Sequence, residues 1–273
     1  MEQKATNDQC VLNCICFNAR SLCNKLCCLH DILSGKKYFT YNNIFHIIAV
    51  CETWLNNDFA DSMLLNNSPY IIFRKDRPVL KKGGGVCLFV KTSLAVTNVV
   101  IPDKFFNVEI IAIDVKIGIT NHRIVCVYKP PACNVQYVQD MCDCLAYLGN
   151  KNIPITICGD LNFPNIDWRS DTVSACIIDN IFQDFVINYN LTQCIHEATS
   201  AINNNILDLL LVSHPVYTLN VNTDIPFETS DHCSVSFSIW GHANSESNAN
   251  GNMHISKRYN FAKTDYNGLI VIT

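Results

Sequence analysis

Ile155-Thr156-Ile157-Cys158-Gly159-Asp160-Leu161-Asn162 is a β-rich apolar run that stops abruptly on a glycine and two polar residues. The same grammar recurs along the chain. Phe17-Asn18-Ala19-Arg20, Val50-Cys51-Glu52-Thr53-Trp54, Val127-Tyr128-Lys129-Pro130-Pro131 and Thr229-Ser230-Asp231-His232 each set a polar cluster beside a β-rich apolar stretch. Asp208 lies inside a further run, Ile206–Val212. Taken singly, each cluster is ordinary turn or capping chemistry. Taken together they have another reading. A carboxylate at the end of a buried strand is costly unless it is paired or bound to a cation. If these ends converge, one site would hold Glu52, Asp160, Asp208 and Asp231 with Asn18, Tyr128, Asn162 and His232. Such an oxygen-rich set suits Mg²⁺ or Mn²⁺ better than zinc. One histidine among carboxylates suits activation of water.

The apolar runs read as strands over Val11–Phe17, Phe45–Val50, Tyr70–Phe73, Val86–Val90, Val108–Val115, Ile124–Tyr128, Ile155–Cys158, Leu207–Val212 and Cys233–Ile239. In the last of these, Val235, Phe237 and Ile239 alternate with Ser234, Ser236 and Ser238, which predicts one exposed face. Three stripes have helical spacing. They are Leu22, Leu26, Leu29 and Leu33; Val135, Val138, Met141, Leu145 and Leu148; and Ile178, Phe182, Phe185 and Val186. Many strands with few helices imply an α/β protein in which sheet packs on sheet and helices lie outside.

The chain has 273 residues, 49% apolar and 16% charged, enough for one large domain with a sizeable core. Composition turns to Ala, Asn, Ser, Gly and Glu after about residue 241. The expected organisation is a flexible stretch at 1–9, one domain at 10–240, and a linker with a connector at 241–273. A net charge of −4 excludes a chain that is cationic throughout, so DNA binding would require a local patch. No apolar run is as long as a membrane span. The polar start lacks the pattern of a secretory signal, so the expected location is intracellular and the 16 cysteines are expected as thiols rather than disulfides. Their spacings do not match the usual structural zinc sites, and many lie in apolar runs where thiols act as small buried hydrophobes.

The ordered set from Asn18 to His232 resembles the endonuclease/exonuclease/phosphatase superfamily. Gly159-Asp160-Leu161-Asn162 and Ser230-Asp231-His232 are its most diagnostic parts. Finer features resemble endonuclease domains of jockey- or CR1-like non-LTR retrotransposons. These are Asn18-Ala19-Arg20-Ser21-Leu22, Glu52-Thr53-Trp54-Leu55, Arg74-Lys75-Asp76-Arg77 before Gly83-Gly84-Gly85, and Asp160 to Pro164 with Ile166-Asp167-Trp168. Tyr259 to Tyr266 resembles the connector before a reverse transcriptase, a domain expected in a longer parent.

The resemblance implies a four-layer α/β sandwich, DNase I-like, with two mixed sheets face to face. It implies Mg²⁺, for which Mn²⁺ substitutes, held by Glu52 with Asn18 or Asp231. His232 oriented by Asp208 competes with Asp160 for the role of general base. Asn162 would orient the substrate or nucleophile, and Tyr128 would donate to a phosphate oxygen. Arg20 stands where apurinic endonucleases have an aspartate, and with Arg74, Arg77 and Thr199 it is expected to contact the substrate. Thr199 is followed by Ser200 where the retrotransposon branch often has arginine, which would weaken a phosphate contact. Arg74, Lys75, Arg77, Lys81 and Lys82 read either as phosphate contacts or as a solvated loop. The implied activity is nicking of DNA in the nucleus to leave a 3′-hydroxyl for target-primed reverse transcription. The rivals are a phosphoesterase of the same fold acting on phosphoinositide or sphingomyelin, and a non-catalytic DNA-binding relic.

Overall fold

The computed structural model describes residues 9–36, 39, 44–77, 83–149, 153–170 and 174–242. Lys81, Lys82, most of the expected leading stretch and the connector from 243 onward lie outside the described residues. The chain runs β1 (Gln9–Asn18), α1 (Leu26–Leu33), β2 (Ile47–Cys51), α2 (Asp61–Leu65), β3 (Tyr70–Lys75), β4 (Val86–Lys91), β5 (Val96–Asn98), β6 (Glu109–Ile117) and β7 (Thr120–Tyr128). It continues through α3 (Val135–Gly149), β8 (Ile155–Asp160), α4 (Ile177–Asn188), β9 (Thr192–Gln193), β10 (Asp208–Val212), β11 (Thr218–Pro226) and β12 (Cys233–His242). β1 and β12 reach slightly past the expected domain bounds.

Two mixed six-stranded sheets carry the fold, as the family resemblance implied. Their strand orders are β11-β12-β1-β2-β4-β3 and β5-β6-β7-β8-β10-β9. β1 shows why a continuous apolar run was needed. Cys14 and Cys16 face the second sheet, while Ile15 and Phe17 join Leu29 and Ile32 of α1 in a separate cluster. Both faces of the sheet are therefore covered, which suits runs without polar alternation. In the second sheet, Val138, Met141 and Leu145 of α3 and Phe182 of α4 join the main core. Each side chain of this size, fully buried, contributes about 1.5–3 kcal/mol. All 16 cysteines are free.

One expectation from alternation is corrected. Ser234, Ser236 and Ser238 are buried along with the apolar face opposite them. β12 is an interior strand between β11 and β1, where neighbours shield small side chains, and Ser238 donates to Asn13 Oδ1 at 3.0 Å. The sequence reading also passed over β5, β9, β11 and α2. The first two span only 3 and 2 residues, and α2 is a 5-residue helix. β11 is a polar edge strand broken by register shifts, so it carries no strong apolar signal.

Strand direction decides where the polar ends meet. β1 pairs parallel with β2, bringing Asn18 opposite Cys51. β7 pairs parallel with β8, bringing Cys126 opposite Cys158. β10 and β12 run antiparallel to β8 and β1, so they begin at the edge where β8 and β1 finish. The finishes of β1, β2, β7 and β8 and the starts of β10 and β12 thus share one edge of the sandwich.

Candidate active site

Asn18 is the hinge of that edge. It is fully buried, and its Nδ2 donates to Glu52 Oε1 at 3.0 Å and to Asp160 Oδ2 at 2.8 Å. Its Oδ1 accepts the Arg20 backbone N–H at 2.9 Å. One amide therefore ties the first sheet to the second across two carboxylates. Glu52 leaves β2 in the left-handed region, at φ 51°. A glutamate there is uncommon, and such strain gathers at functional sites. Glu52 also accepts from the Tyr128 hydroxyl at 3.1 Å and from Trp54 Nε1 at 3.2 Å.

Gly159 explains how Asp160 reaches this point. Its φ is 146°, and a Cβ there would lie 1.8 Å from the Val127 carbonyl oxygen. Only glycine lets β8 pass that close to β7 before presenting the aspartate. Asp160 and Asp208 are directly opposite in the β8–β10 ladder. Thr199 fixes the start of β10, its Oγ1 accepting the N–H groups of Leu207 and Asp208, both at 2.9 Å. Asp208 Oδ2 then accepts from His232 Nδ1 at 2.8 Å. Asp231 binds Arg20 at 2.7 Å.

The electrostatics are lopsided. Burial, reinforced by the charge of Asp208, raises the Asp160 pKa well above the usual carboxylate range. For His232, burial pulls the other way, but the charge and hydrogen bond of Asp208, with Asp160 and Asp231 behind them, lift the pKa to about 10. In the ion-free protein these partners favour the protonated imidazole of His232. Burial, followed by the charge of Glu52, pushes the Tyr128 hydroxyl far up, so it remains a donor.

The residues fit a divalent cation. Asp160 Oδ1, Asp208 Oδ1 and Asp231 Oδ1 are buried and have no hydrogen-bond partner. Asp160, Asp208 and His232 bring ligand atoms within 4.8 Å of one another, the one such group of three or more among the described residues. Buried carboxylate oxygens left open are donors of the hard, oxygen type that Mg²⁺ and Mn²⁺ prefer.

Segment 122–236 matches the family model described as endonuclease-reverse transcriptase. No curated protein sequence matches the chain. Among solved structures, the endonuclease domain of TRAS1, a telomere-specific non-LTR retrotransposon, matches with a TM-score of 0.61 at 13% identity, covering 84% of this chain and 98% of that one. An AP endonuclease from Leishmania major matches at 0.64 and 15% identity, covering 84% and 88%. A 3′ phosphatase from Neisseria bound to a product DNA hairpin matches at 0.62 and 14% identity, covering 84% and 99%.

The chain has the endonuclease/exonuclease/phosphatase fold.

Within this fold the eight expected site residues gather at one edge, with Asn162 slightly apart. Asn162 also has a left-handed backbone, at φ 50°, and its Nδ2 donates to the Lys129 carbonyl at 3.1 Å. The expected substrate contacts fare differently. Arg20 stands at the rim with half its side chain exposed. Thr199 is fully buried and its hydroxyl is committed to the backbone of Leu207 and Asp208, so it positions Asp208 instead of facing solvent. Arg74 turns inward onto the Phe59 and Asn56 carbonyls and pairs with Asp61 and Asp76. Arg77 pairs with buried Glu109 and lies over the Tyr128 ring.

Two residues near the edge had been given no role, and a third, Trp54, was expected as a stacking surface or a packing anchor. Lys129 is buried and donates to the Asn162 carbonyl at 2.8 Å, tying two polar clusters together. Glu109 accepts from Arg77 and from the Gly85 N–H, bracing the glycine turn beside Thr53. Trp54 is an exposed indole that donates to the Glu52 carboxylate. A signal existed for Glu109, a lone acid at the head of an apolar run. It was missed because the pattern sought was an acid at the tail.

Among the described residues, no helix is long and apolar enough to cross a membrane.

Proposed function

We propose that this chain is a divalent-metal-dependent endonuclease that hydrolyses one strand of duplex DNA and leaves a 3′-hydroxyl. The observation that carries the reading is the set of three buried carboxylate oxygens without partners, gathered around a charged histidine at the edge where four strands finish. The likeness to nucleases of the same fold supports it.

A phosphodiester resists hydrolysis because its negative charge repels the nucleophile and the leaving oxygen departs as an anion. A Mg²⁺ or Mn²⁺ held by Glu52 would offset that charge. His232, a cation anchored by Asp208, donates from Nε2 toward a phosphate oxygen. The Tyr128 hydroxyl, placed at the Glu52 carboxylate, supplies a second donor to the phosphate. Asp160 carries the open Oδ1 and a raised pKa, so it accepts the proton of the attacking water more readily than an ordinary aspartate. The open Oδ1 of Asp160, beside a His232 whose Nδ1 is committed to Asp208, favours Asp160 over His232 as the base. Asn18 holds Glu52 and Asp160 in register, and Asn162 with Lys129 fixes the floor beside them. The 3′-hydroxyl would serve target-primed reverse transcription in the nucleus, with a polymerase domain of a longer parent as partner.

The test is conversion of supercoiled plasmid to open circles by the purified chain with Mg²⁺. Glu52→Ala, Asp160→Ala and His232→Ala are each expected to lower the rate by about 10²–10³, and EDTA to abolish it. Nicking by the variants at the wild-type rate would refute the assignment. Turnover of a phosphoinositide or sphingomyelin with DNA intact would move the function to another phosphoesterase.

A further inference from the structure

The end of the second sheet away from the site carries a hollow of its own. A cavity of about 450 Å³ opens between the finishes of α3 and α4 and the starts of β7 and β8. Leu145, Ile155, Phe185, Tyr189 and Tyr217 are among its walls. A second hollow, of about 250 Å³, lies between α3 and α4. Phe185 and Tyr189 line both, so the two adjoin as one groove. Asp143 and Asp184, both exposed, stand along its second half. Asp143 accepts from the neutral Gln139 amide at 3.0 Å. Neither aspartate is in an ion pair among the described residues. The groove is therefore apolar at one end and acidic at the other. Ile119 and Val216, next in sequence to the lining residues Thr120 and Tyr217, are 60% and 64% exposed and widen the apolar end. Apolar surface gathered at one place and left in water marks a place where something docks.

The course of β12 shows what is near enough to dock. β12 ends at His242, whose carbonyl accepts the Ile119 N–H at 2.8 Å. Thr120, the next residue, lines the cavity. The Trp240 ring lies 5.3 Å from that of Tyr217. The chain thus leaves the second sheet's flank at the rim of the groove. Residues 243–273 follow, and among them Lys257-Arg258-Tyr259-Asn260-Phe261 sets two cations directly before two aromatic rings. Residues 243–256 separate this stretch from β12. Fully extended they span about 50 Å, more than the diameter of a small domain, about 30 Å. A partner from solution must be captured at its own concentration. A segment on a tether of this length is present at an effective concentration on the order of millimolar.

We propose that Lys257–Phe261 folds back onto the groove between α3 and α4 of its own chain. Tyr259 and Phe261 fill the apolar end, and Lys257 and Arg258 meet Asp143 and Asp184. The docked segment fixes where the downstream chain departs, on the flank of α3 and α4 and clear of the edge that holds Asp160 and His232. Docking of this kind does not require that edge to be catalytic.

The test places a benzoylphenylalanine photo-crosslinker at Phe261 of the full chain and maps the cross-linked peptides. Cross-links within one chain to 139–149 and 181–189 are expected. Asp143→Lys with Asp184→Lys should lower their yield about threefold or more. Adding Lys257→Glu with Arg258→Glu should restore it, which also shows that the charge-reversed fold is intact. Cross-links between two chains would give the groove to a second copy and overturn the inference. Cross-links scattered over the surface, a yield that the first reversal leaves unchanged, or a failure of the second reversal to restore it would overturn it as well.

Discussion

Arg123 and the strand-end carboxylates of Asp160 and Asp208 are both buried charge in the second sheet, yet the protein completes one and leaves the others open. Arg123, on β7 at the end away from the site, is 1% exposed, and its guanidinium is engaged at three nitrogens. Nε and one terminal nitrogen donate to the two oxygens of Asp114 at 2.7 Å, and the other donates to the Leu148 carbonyl at 2.7 Å. At the opposite edge, Asp160, Asp208 and Asp231 each keep one oxygen with no partner. Buried charge that the chain satisfies by itself is architecture. Buried charge that it leaves incomplete is held ready for something that arrives. The same contrast separates two buried histidines. His122, beside Arg123, is driven down to about 4 by burial and by the nearby charge of His214, and remains neutral. His232 is lifted to about 10.

The comparison can be broken at its structural end first. Arg123→Ala should remove about 3–5 kcal/mol of unfolding free energy, because Asp114 and the Leu148 carbonyl lose their partner inside the fold. Urea denaturation measures it. A near-neutral result would mean that the completed pair is not holding the sheet.

Asp160→Asn should do the reverse at the site. It removes a charge that burial and Asp208 disfavour, so the ion-free protein should gain stability. A gain near 1 kcal/mol corresponds to a melting temperature higher by about 2–4 °C. Added Mg²⁺ should then stabilise this variant less than the wild type. Loss of stability on neutralising Asp160 would show that its open oxygen is not a strain on the fold.

The smallest effect expected is in the pH dependence of the ion-free protein. His232 has a folded pKa above its unfolded value, so its contribution is fully present below about 6.5 and fades as pH rises toward about 10. His122 has a depressed folded pKa, so its neutral form costs stability as pH falls from about 6.5 toward about 4. Thermal melts of His232→Gln should flatten the alkaline limb, and those of His122→Gln the acid limb. If either variant flattened the wrong limb, the electrostatic contrast between the two ends would fail.

How much of this was legible can be judged residue by residue. The strands of both sheets were readable wherever both faces are buried, because a run such as Val86–Val90 has few other uses. The short α2 and the polar edge strand β11 were not, because their residues are fixed by neighbours and carry little local preference. Asn18, Glu52, Tyr128, Asp160, Asp208, Asp231 and His232 were legible as a set, since a carboxylate beside a buried strand needs a reason wherever it occurs. The outward face of the site was poorly legible. A basic residue looks the same in sequence whether it meets solvent, as Arg20 does, or folds back on a carbonyl, as Arg74 does.

The amino-acid order by itself determined which residue types stand at the ends of apolar runs, and with them the class of chemistry, because hydrophobic periodicity and the cost of burying charge are local properties of the chain. Only the tertiary structure decided which polar group meets which. Arg20 with Asp231, His232 with Asp208, and Glu52 with Asp160 across the Asn18 amide are pairings between residues far apart in sequence. They exist because parallel and antiparallel strands bring those ends to one edge, at separations of a few ångströms that spacing along the chain cannot encode.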